Sequence, residues 1–170
     1  MLYATRHLHV SPAALGLVLG AGAVGTVGGS FVTARIGRRI GIGRTFALGC
    51  FLFPAPLILV PLAGGPHSLV LVLLFVSEFL SGIGLMQLDI MAGTISAGSI
   101  PQALRSRVSG AFMVVNYGVR PLGTSVGGVL GSTLGLRPTL WIATVGALAG
   151  LLWILPSPIM SLHEVPAEAE

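Results

Sequence analysis

Lysine is absent from this 170-residue chain, charged residues of all kinds make up 8% of it, and aromatic residues only 6%. A soluble domain carries about 25% charged residues. A chain this poor in charge cannot cover a globular surface with solvated groups, which excludes an ordinary soluble fold. One cysteine, Cys50, excludes an internal disulfide. No apolar core precedes a cleavage site in MLYATRHLHVSP, so no signal peptide is read there, and no lipidation signal is present. Nucleophile elbow, HExxH, P-loop and paired catalytic carboxylates are all missing. The chain therefore reads as a non-enzyme with no cofactor. His7-x-His9 has no third ligand nearby, so no metal site is assigned.

What remains is apolar. Hydrophobic residues make up 54% of the chain, and its mean hydropathy is +0.95. These values predict an all-α integral membrane protein whose first partner is the lipid bilayer. The +4 net charge and isoelectric point near 10.7 do not make it a nucleic-acid binder. All nine basic residues are arginines, set between apolar runs instead of along a polar face.

A helix needs about 20 apolar residues to cross a bilayer. Five runs qualify: span I at about 12–34, span II at about 44–63, span III at about 68–96, span IV at about 107–134 and span V at about 138–156. They form one transmembrane bundle over 1–157, followed by a polar tail at 158–170. Ser11-Pro12 and Arg137-Pro138 read as helix starts. GGPH, GSIPQ and GLRP read as turns.

The arginines set the orientation. The I–II connector holds Arg35, Arg38, Arg39 and Arg44, and the III–IV connector holds Arg105 and Arg107. The other side has only Arg6 and Arg137. Six against two places both arginine-bearing connectors in the cytoplasm. The N-terminus is then outside and the tail LHEVPAEAE inside. An odd number of spans with an external start reads as a chain preceded by further segments.

Glycines recur at four-residue spacing: Gly16 with Gly20, Gly25 with Gly29, and Gly123 with Gly127 and Gly131. Such pairs allow close helix approach, so all seven are expected at helix seams, which could also let helices rock. Pro54, Pro56 and Pro61 in span II and Pro121 in span IV predict kinks.

Ionisable groups inside a bilayer are costly and mark a pair or a functional site. Glu78 and Asp89 lie in span III and Arg120 in span IV, where Asn116 shares its face. Glu78 and Asp89 fall within about 20° of each other on one helix face. From the span limits, Glu78 and Arg120 sit at similar depths and are expected to pair, with Asp89 nearer the cytoplasmic arginines or water. A static pair and a proton-coupling role for Glu78 both fit this pattern.

The stretch SFVTARIGRRIGIGR resembles the cytoplasmic hairpin of the major facilitator superfamily, roughly G-x-x-x-D-R-x-G-R-R. Arg35, Gly37, Arg38 and Arg39 match it, Ser30 stands at the first glycine, and Ala34 replaces the acid. The stretch IPQALRSRVSGAFMVVNYGVRPLGTSVGGVLG resembles the eleventh helix of bacterial drug- and siderophore-exporting members. Pro101, Arg105, Arg107, Val108, Pro121, Leu122, Gly123, Gly127 and Gly128 carry that likeness. The resemblance implies that spans I to V correspond to helices eight to twelve of a twelve-helix transporter, with the N-terminal half of the transporter as a missing partner. It further implies secondary active efflux of a small-molecule substrate, a drug or siderophore, across the plasma membrane by proton antiport. A non-transporting membrane scaffold subunit and an inactive remnant are the alternatives.

The orientation is testable with single cysteines in a Cys50→Ser background. His67→Cys should react with a membrane-impermeant maleimide on intact cells, and Gln102→Cys only after permeabilisation; the reverse pattern would overturn the arginine argument.

Overall fold

The computed structural model describes residue 8 and residues 10–154. His7-x-His9, Arg6 and the tail at 158–170 lie outside the described residues. The described residues are helical throughout. In chain order they form α1 (Pro12–Ile40), α2 (Ile42–Leu52), a 3-10 turn (Ala55–Ile58), α3 (Leu59–Leu62), α4 (His67–Ser99), α5 (Gln102–Thr133), α6 (Leu136–Ala149) and α7 (Leu151–Ile154).

The Ser11 hydroxyl caps α1 by accepting the Ala14 N–H at 3.3 Å, and Pro12 occupies the first turn. That cap and proline are the sequence's own start signal. The far end departs from expectation. Helix α1 runs to Ile40 and α2 starts at Ile42, so the I–II connector is one residue, Gly41. Isoleucine and arginine propagate a helix adequately, and nothing between residues 34 and 40 breaks it. Gly41 does break it. It sits at φ 88°, and its N–H donates to the Gly37 carbonyl at 3.0 Å. A side chain is strained at that φ, so glycine makes the sharp reversal possible. Arg35, Arg38 and Arg39 are thus on the last turns of a helix, and Arg44 on the first turn of the next.

Span II is broken where its prolines fall. Pro54 and Pro56 supply no backbone N–H, so the α-helical ladder stops at Leu52 and the chain tightens into the 3-10 turn before α3. Two carbonyls, one at the break and one in the last turn of α3, find donors on other helices. The Ser81 hydroxyl of α4 donates to the Phe53 carbonyl at 2.8 Å. The Arg137 Nε of α6 donates to the Pro61 carbonyl at 2.8 Å, across 76 residues of sequence. In hydrocarbon an unpaired carbonyl costs several kcal/mol, so these bonds fasten α4 and α6 to the break. Arg137 is therefore a structural link in addition to a topology signal.

The long connecting runs are also more helical than read. Span III extends over 67–99 and span IV over 102–133, which brings Arg105 and Arg107 into the first turns of α5. The Arg105 Nη2 donates to the Ala97 carbonyl at 2.7 Å and so closes the end of α4.

Helix α4 is the centre of the packing. It makes its most extensive contact with α1 and its next with α2. The α1 face is a glycine seam. A β-carbon added at Gly25 would overlap the Phe79 carbonyl, and one at Gly82 would overlap the Gly22 carbonyl. At Gly29 it would come within 3.0 Å of the Ile83 backbone. On the α2 side, a β-carbon added at Gly49 would come within 3.0 Å of the Leu88 backbone nitrogen, and one at Gly84 would overlap the Phe53 backbone. At the end where α1 and α4 begin and α3 stops, Val10, Val18, Ala63, Val70 and Leu74 form an apolar cluster.

Only part of the expected glycine set lies at these seams. Gly25 and Gly29 do. Gly16, Gly20, Gly123 and Gly127 face open space, and Gly131 meets only the Leu136 side chain at 3.3 Å. Helix geometry explains the α1 result. At about 100° per residue, Gly16 lies about 180° and Gly20 about 140° from Gly25. Two four-residue repeats nine residues apart cannot share a face. The α5 glycines face open space because α5 packs mainly on α6 and has no buried residue.

Four segments are long and apolar enough to cross a membrane: Pro12–Ile40, Ile42–Leu62, His67–Gly98 and Leu136–Trp153. Helix α5, at 32 residues, has the length. Asn116, Arg120 and its serines, threonines and glycines keep it below the hydropathy of the other four.

The seam predicts a position-specific response. Gly25→Ala and Gly82→Ala should each cost about 1–3 kcal/mol through forced displacement of a neighbouring backbone. Gly16→Ala should be neutral or stabilising. Thermal unfolding of the purified chain in detergent reads the difference, and equal shifts for all three would refute the seam.

Candidate functional site

Helix α4 carries polar side chains around much of its circumference, and each meets a different neighbour. Toward α2, Ser77 is fully buried and donates to the Leu74 carbonyl at 3.1 Å, while Ser81 serves the Phe53 carbonyl. Toward α1 lies Glu78. Its Oε2 stands 3.3 Å from the position a β-carbon would take on Gly22. The half-buried carboxyl group therefore rests on the α1 backbone in space that glycine leaves open. Thr26, one turn below, donates its hydroxyl to the Gly22 carbonyl at 2.9 Å. Glu78, Gly22, Thr26 and Gly82 thus make one polar step in the α1–α4 interface.

The expected Glu78–Arg120 pair does not form. Among the described residues no ion pair is present. Arg120 lies on exposed α5, with its guanidinium 4.8 Å from the centroid of the Tyr117 ring. The depth estimate was compatible with pairing, but depth does not place two helices side by side. Helix α5 packs mainly on α6, and α4 is enclosed by α1 and α2. Asp89 is exposed in the second half of α4, and Asn116 is exposed on α5. Glu78 and Asp89 share a nominal helix face, yet only Glu78 is covered, because α1 crosses α4 closest at the Gly22–Gly29 stretch.

An arginine at the centre of a membrane helix costs about 2.5–3.5 kcal/mol on insertion scales. Arg120 lies within about 4 Å of the midpoint of α5 along its axis. That cost makes the α5 face bearing Arg120 a face for protein, ligand or water, and unsuited to lipid.

The hairpin arginines Arg35, Arg38, Arg39 and Arg44 are all exposed. Arg35 and Arg39 line a shallow groove on α1 with Phe31, Val32 and Ile36. Ala34 beside them supplies no acid. Among the described residues no carboxylate pairs with these arginines, so the hairpin is a cationic end of the bundle.

Gln87 is the polar residue that sequence reading missed. It is 1% exposed, the largest fully buried side chain, and its Nε2 has no hydrogen-bond partner. It lies on α4 between Gly84 and Met91, at the level where Gly29 of α1 and Gly49 of α2 meet this helix. Its uncharged amide gave no signal against the carboxylates. A glutamine nine residues beyond Glu78 in a membrane helix was the available clue.

No cluster of three or more potential metal ligands occurs among the described residues. The model of one protein family, the Major Facilitator Superfamily, matches residues 1–169. No curated protein and no solved structure matches the chain.

A buried donor without a partner costs about 1–3 kcal/mol. Gln87→Met keeps the side-chain volume and removes that donor. It should raise the unfolding free energy by about 1–2 kcal/mol, read as a higher melting temperature in detergent. A lower melting temperature would mean that the amide is hydrogen-bonded in the native protein.

Proposed function

Because the chain belongs to the Major Facilitator Superfamily, a family of membrane transporters and not of enzymes, we propose that it serves secondary active export of a small molecule by proton-coupled alternating access. The family match over nearly the whole chain carries the transporter reading. Export, and the drug or siderophore class of substrate, follow from the likeness of the Pro101–Gly131 stretch to exporting members. The proposed setting is the plasma membrane, crossed by α1, by α2 to α3, by α4, by α5 and by α6 to α7. The N-terminus is outside, and the arginine hairpin and C-terminus are cytoplasmic. The rest of the translocation pathway would come from an N-terminal half of the transporter.

Glu78 is the proposed proton carrier. It is the one acidic group within a described helix–helix interface, where it meets a bare glycine backbone, and among the described residues no cation is in ion-pair contact with it. A carboxyl group so placed can be neutral when dry and charged when water reaches it. Movement of α1 along the glycine seam would alter that access. Asp89, exposed toward the cytoplasmic end, would exchange protons with water. Alternating access by rocking of transporter halves is the expected motion, and Gly22, Gly25, Gly29 and Gly82 provide smooth contact for it.

Reconstituted into proteoliposomes, the transporter should release luminal protons when substrate is added on the opposite side, as followed by an entrapped pH dye. Glu78→Gln should slow gradient-driven transport at least about tenfold while substrate–substrate exchange continues. Glu78→Asp should retain part of the activity. Full gradient-driven transport by the glutamine variant would exclude Glu78 as the carrier.

A further inference from the structure

We propose that the polar face of α5 binds the negatively charged group of an organic-anion substrate, with Arg120 as the residue that holds it. The proposal rests on the transporter reading for its setting, because a substrate pathway is what gives a mid-membrane face access to solute.

The helix is two-faced. At about 100° per residue, Ser109, Met113, Asn116, Arg120, Thr124 and Gly127 lie within about 40° of one direction. Ala111, Val115, Gly118, Leu122 and Val129 point the opposite way. Across the middle of the helix the second face is apolar apart from Ser125, and it suits lipid better than the first. The first mixes a cation, an amide, hydroxyls and a bare backbone along the middle of the helix. A membrane helix with such a face lines protein or a water-filled path.

Three groups converge at the level of Arg120. Its guanidinium lies over the Tyr117 ring, 4.8 Å from the centroid. This cation–π contact draws the guanidinium over the ring and leaves its N–H groups for another partner. Asn116, one turn below on the same face, offers an amide. Pro121 has no N–H, so the Tyr117 carbonyl lacks its helical donor. The set therefore presents a cationic N–H fork, an amide and a free carbonyl. The fork matches a carboxylate, phosphate or sulfonate, while the carbonyl and amide can take a neighbouring hydroxyl or N–H of the same ligand. Among the described residues no carboxylate pairs with Arg120, so the fork is not neutralised within this set. The α5 surface around it is exposed, with Asn116, Tyr117 and Arg120 all accessible.

The test uses the full chain, purified into lipid nanodiscs, with 1-naphthoate and its neutral isostere 1-naphthamide as probes. Naphthoate should bind at least about tenfold tighter than the amide. Arg120→Gln should weaken naphthoate binding about 10- to 100-fold, the range for losing a charged hydrogen bond, and leave amide binding unchanged. Arg120→Lys should keep part of the preference, and Arg120→Glu should transfer it to 1-naphthylmethylammonium. Arg107→Gln, on the same helix near its cytoplasmic start, should behave as the native chain. Equal binding of the acid and the amide, or unchanged binding in Arg120→Gln, overturns the proposal. So does a lower melting temperature of ligand-free Arg120→Gln with naphthoate affinity retained, since the guanidinium then serves a carboxylate of the protein itself. Proteoliposome uptake separates this proposal from the transporter reading. Arg120-dependent binding without any solute movement leaves the anion site standing and removes the transport reading. Solute movement that depends on neither substrate charge nor Arg120 does the opposite.

Discussion

The backbone-to-backbone approach of α1 and α4 is the constraint on which the other elements depend. Lipid supplies no hydrophobic force to bring two membrane helices together, because the acyl chains are as apolar as the side chains. Association must come from close packing and from polar bonds. Gly22, Gly25 and Gly29 on one helix and Gly82 on the other let carbonyl groups come near α-carbons, with no side chain between them. Once α1 and α4 are fixed at that separation, Glu78 has nowhere to go except across Gly22. Thr33, on the same face of α1, is buried and returns its hydroxyl to the Gly29 carbonyl at 2.6 Å, so the seam contains no orphaned hydroxyl.

The second constraint is the damage that proline does to span II. Pro54 and Pro56 end a helix inside the membrane, where water cannot repair the lost hydrogen bonds. Ser81 and Arg137 repair two of the exposed positions from α4 and α6. The break thereby becomes a junction. A straight helix at this place would offer no carbonyl to Ser81, whereas the Pro61 carbonyl that Arg137 takes lies in the last turn before the helix ends at Leu62. The same logic explains why α4 carries serines on one side and a carboxylate on another: the serines face a broken helix, and the carboxylate faces a glycine-rich intact one.

Much of the fold was legible because its signals are local. Ser11-Pro12 starts a helix, Pro54 and Pro56 stop one, and 20 apolar residues fit a bilayer. The ends of α1 and α2 were misread because charge was taken as the mark of a loop. Arginine is a good helix former, and only Gly41, through its positive φ, turns the chain. The site was less legible. Glu78 stood out by charge, and its partner surface did not, because a glycine backbone has no sequence signature for contact. The Glu78–Arg120 pair failed on lateral arrangement, which depth along a helix does not encode. Gln87 escaped because an amide in a membrane helix lacks the cost that draws attention to a charge.

The contrast between α4 and α5 separates the two kinds of buried polarity that a membrane helix can carry. On α4, Ser77 and Ser81 donate to named carbonyls, and Glu78 is sheltered by a glycine made to fit it. Their roles are answered within the bundle, apart from the proton that Glu78 could exchange. On α5 the polar groups are as numerous, yet the helix has no buried residue and its arginine is stacked only on its own neighbour Tyr117. Packing economy cannot account for that arrangement, since an apolar residue at position 120 would serve a lipid-facing helix better. A cation kept at mid-membrane and braced by an aromatic ring, next to a proline that frees a carbonyl, is arranged for something outside these helices. The division of labour follows: the α1–α4 seam holds a group that can gain and lose a proton, and α5 holds a fixed positive charge that cannot. In the proposed exchange of protons for an anionic solute, the two groups would sit on separate helices, so that neutralising one would not silence the other.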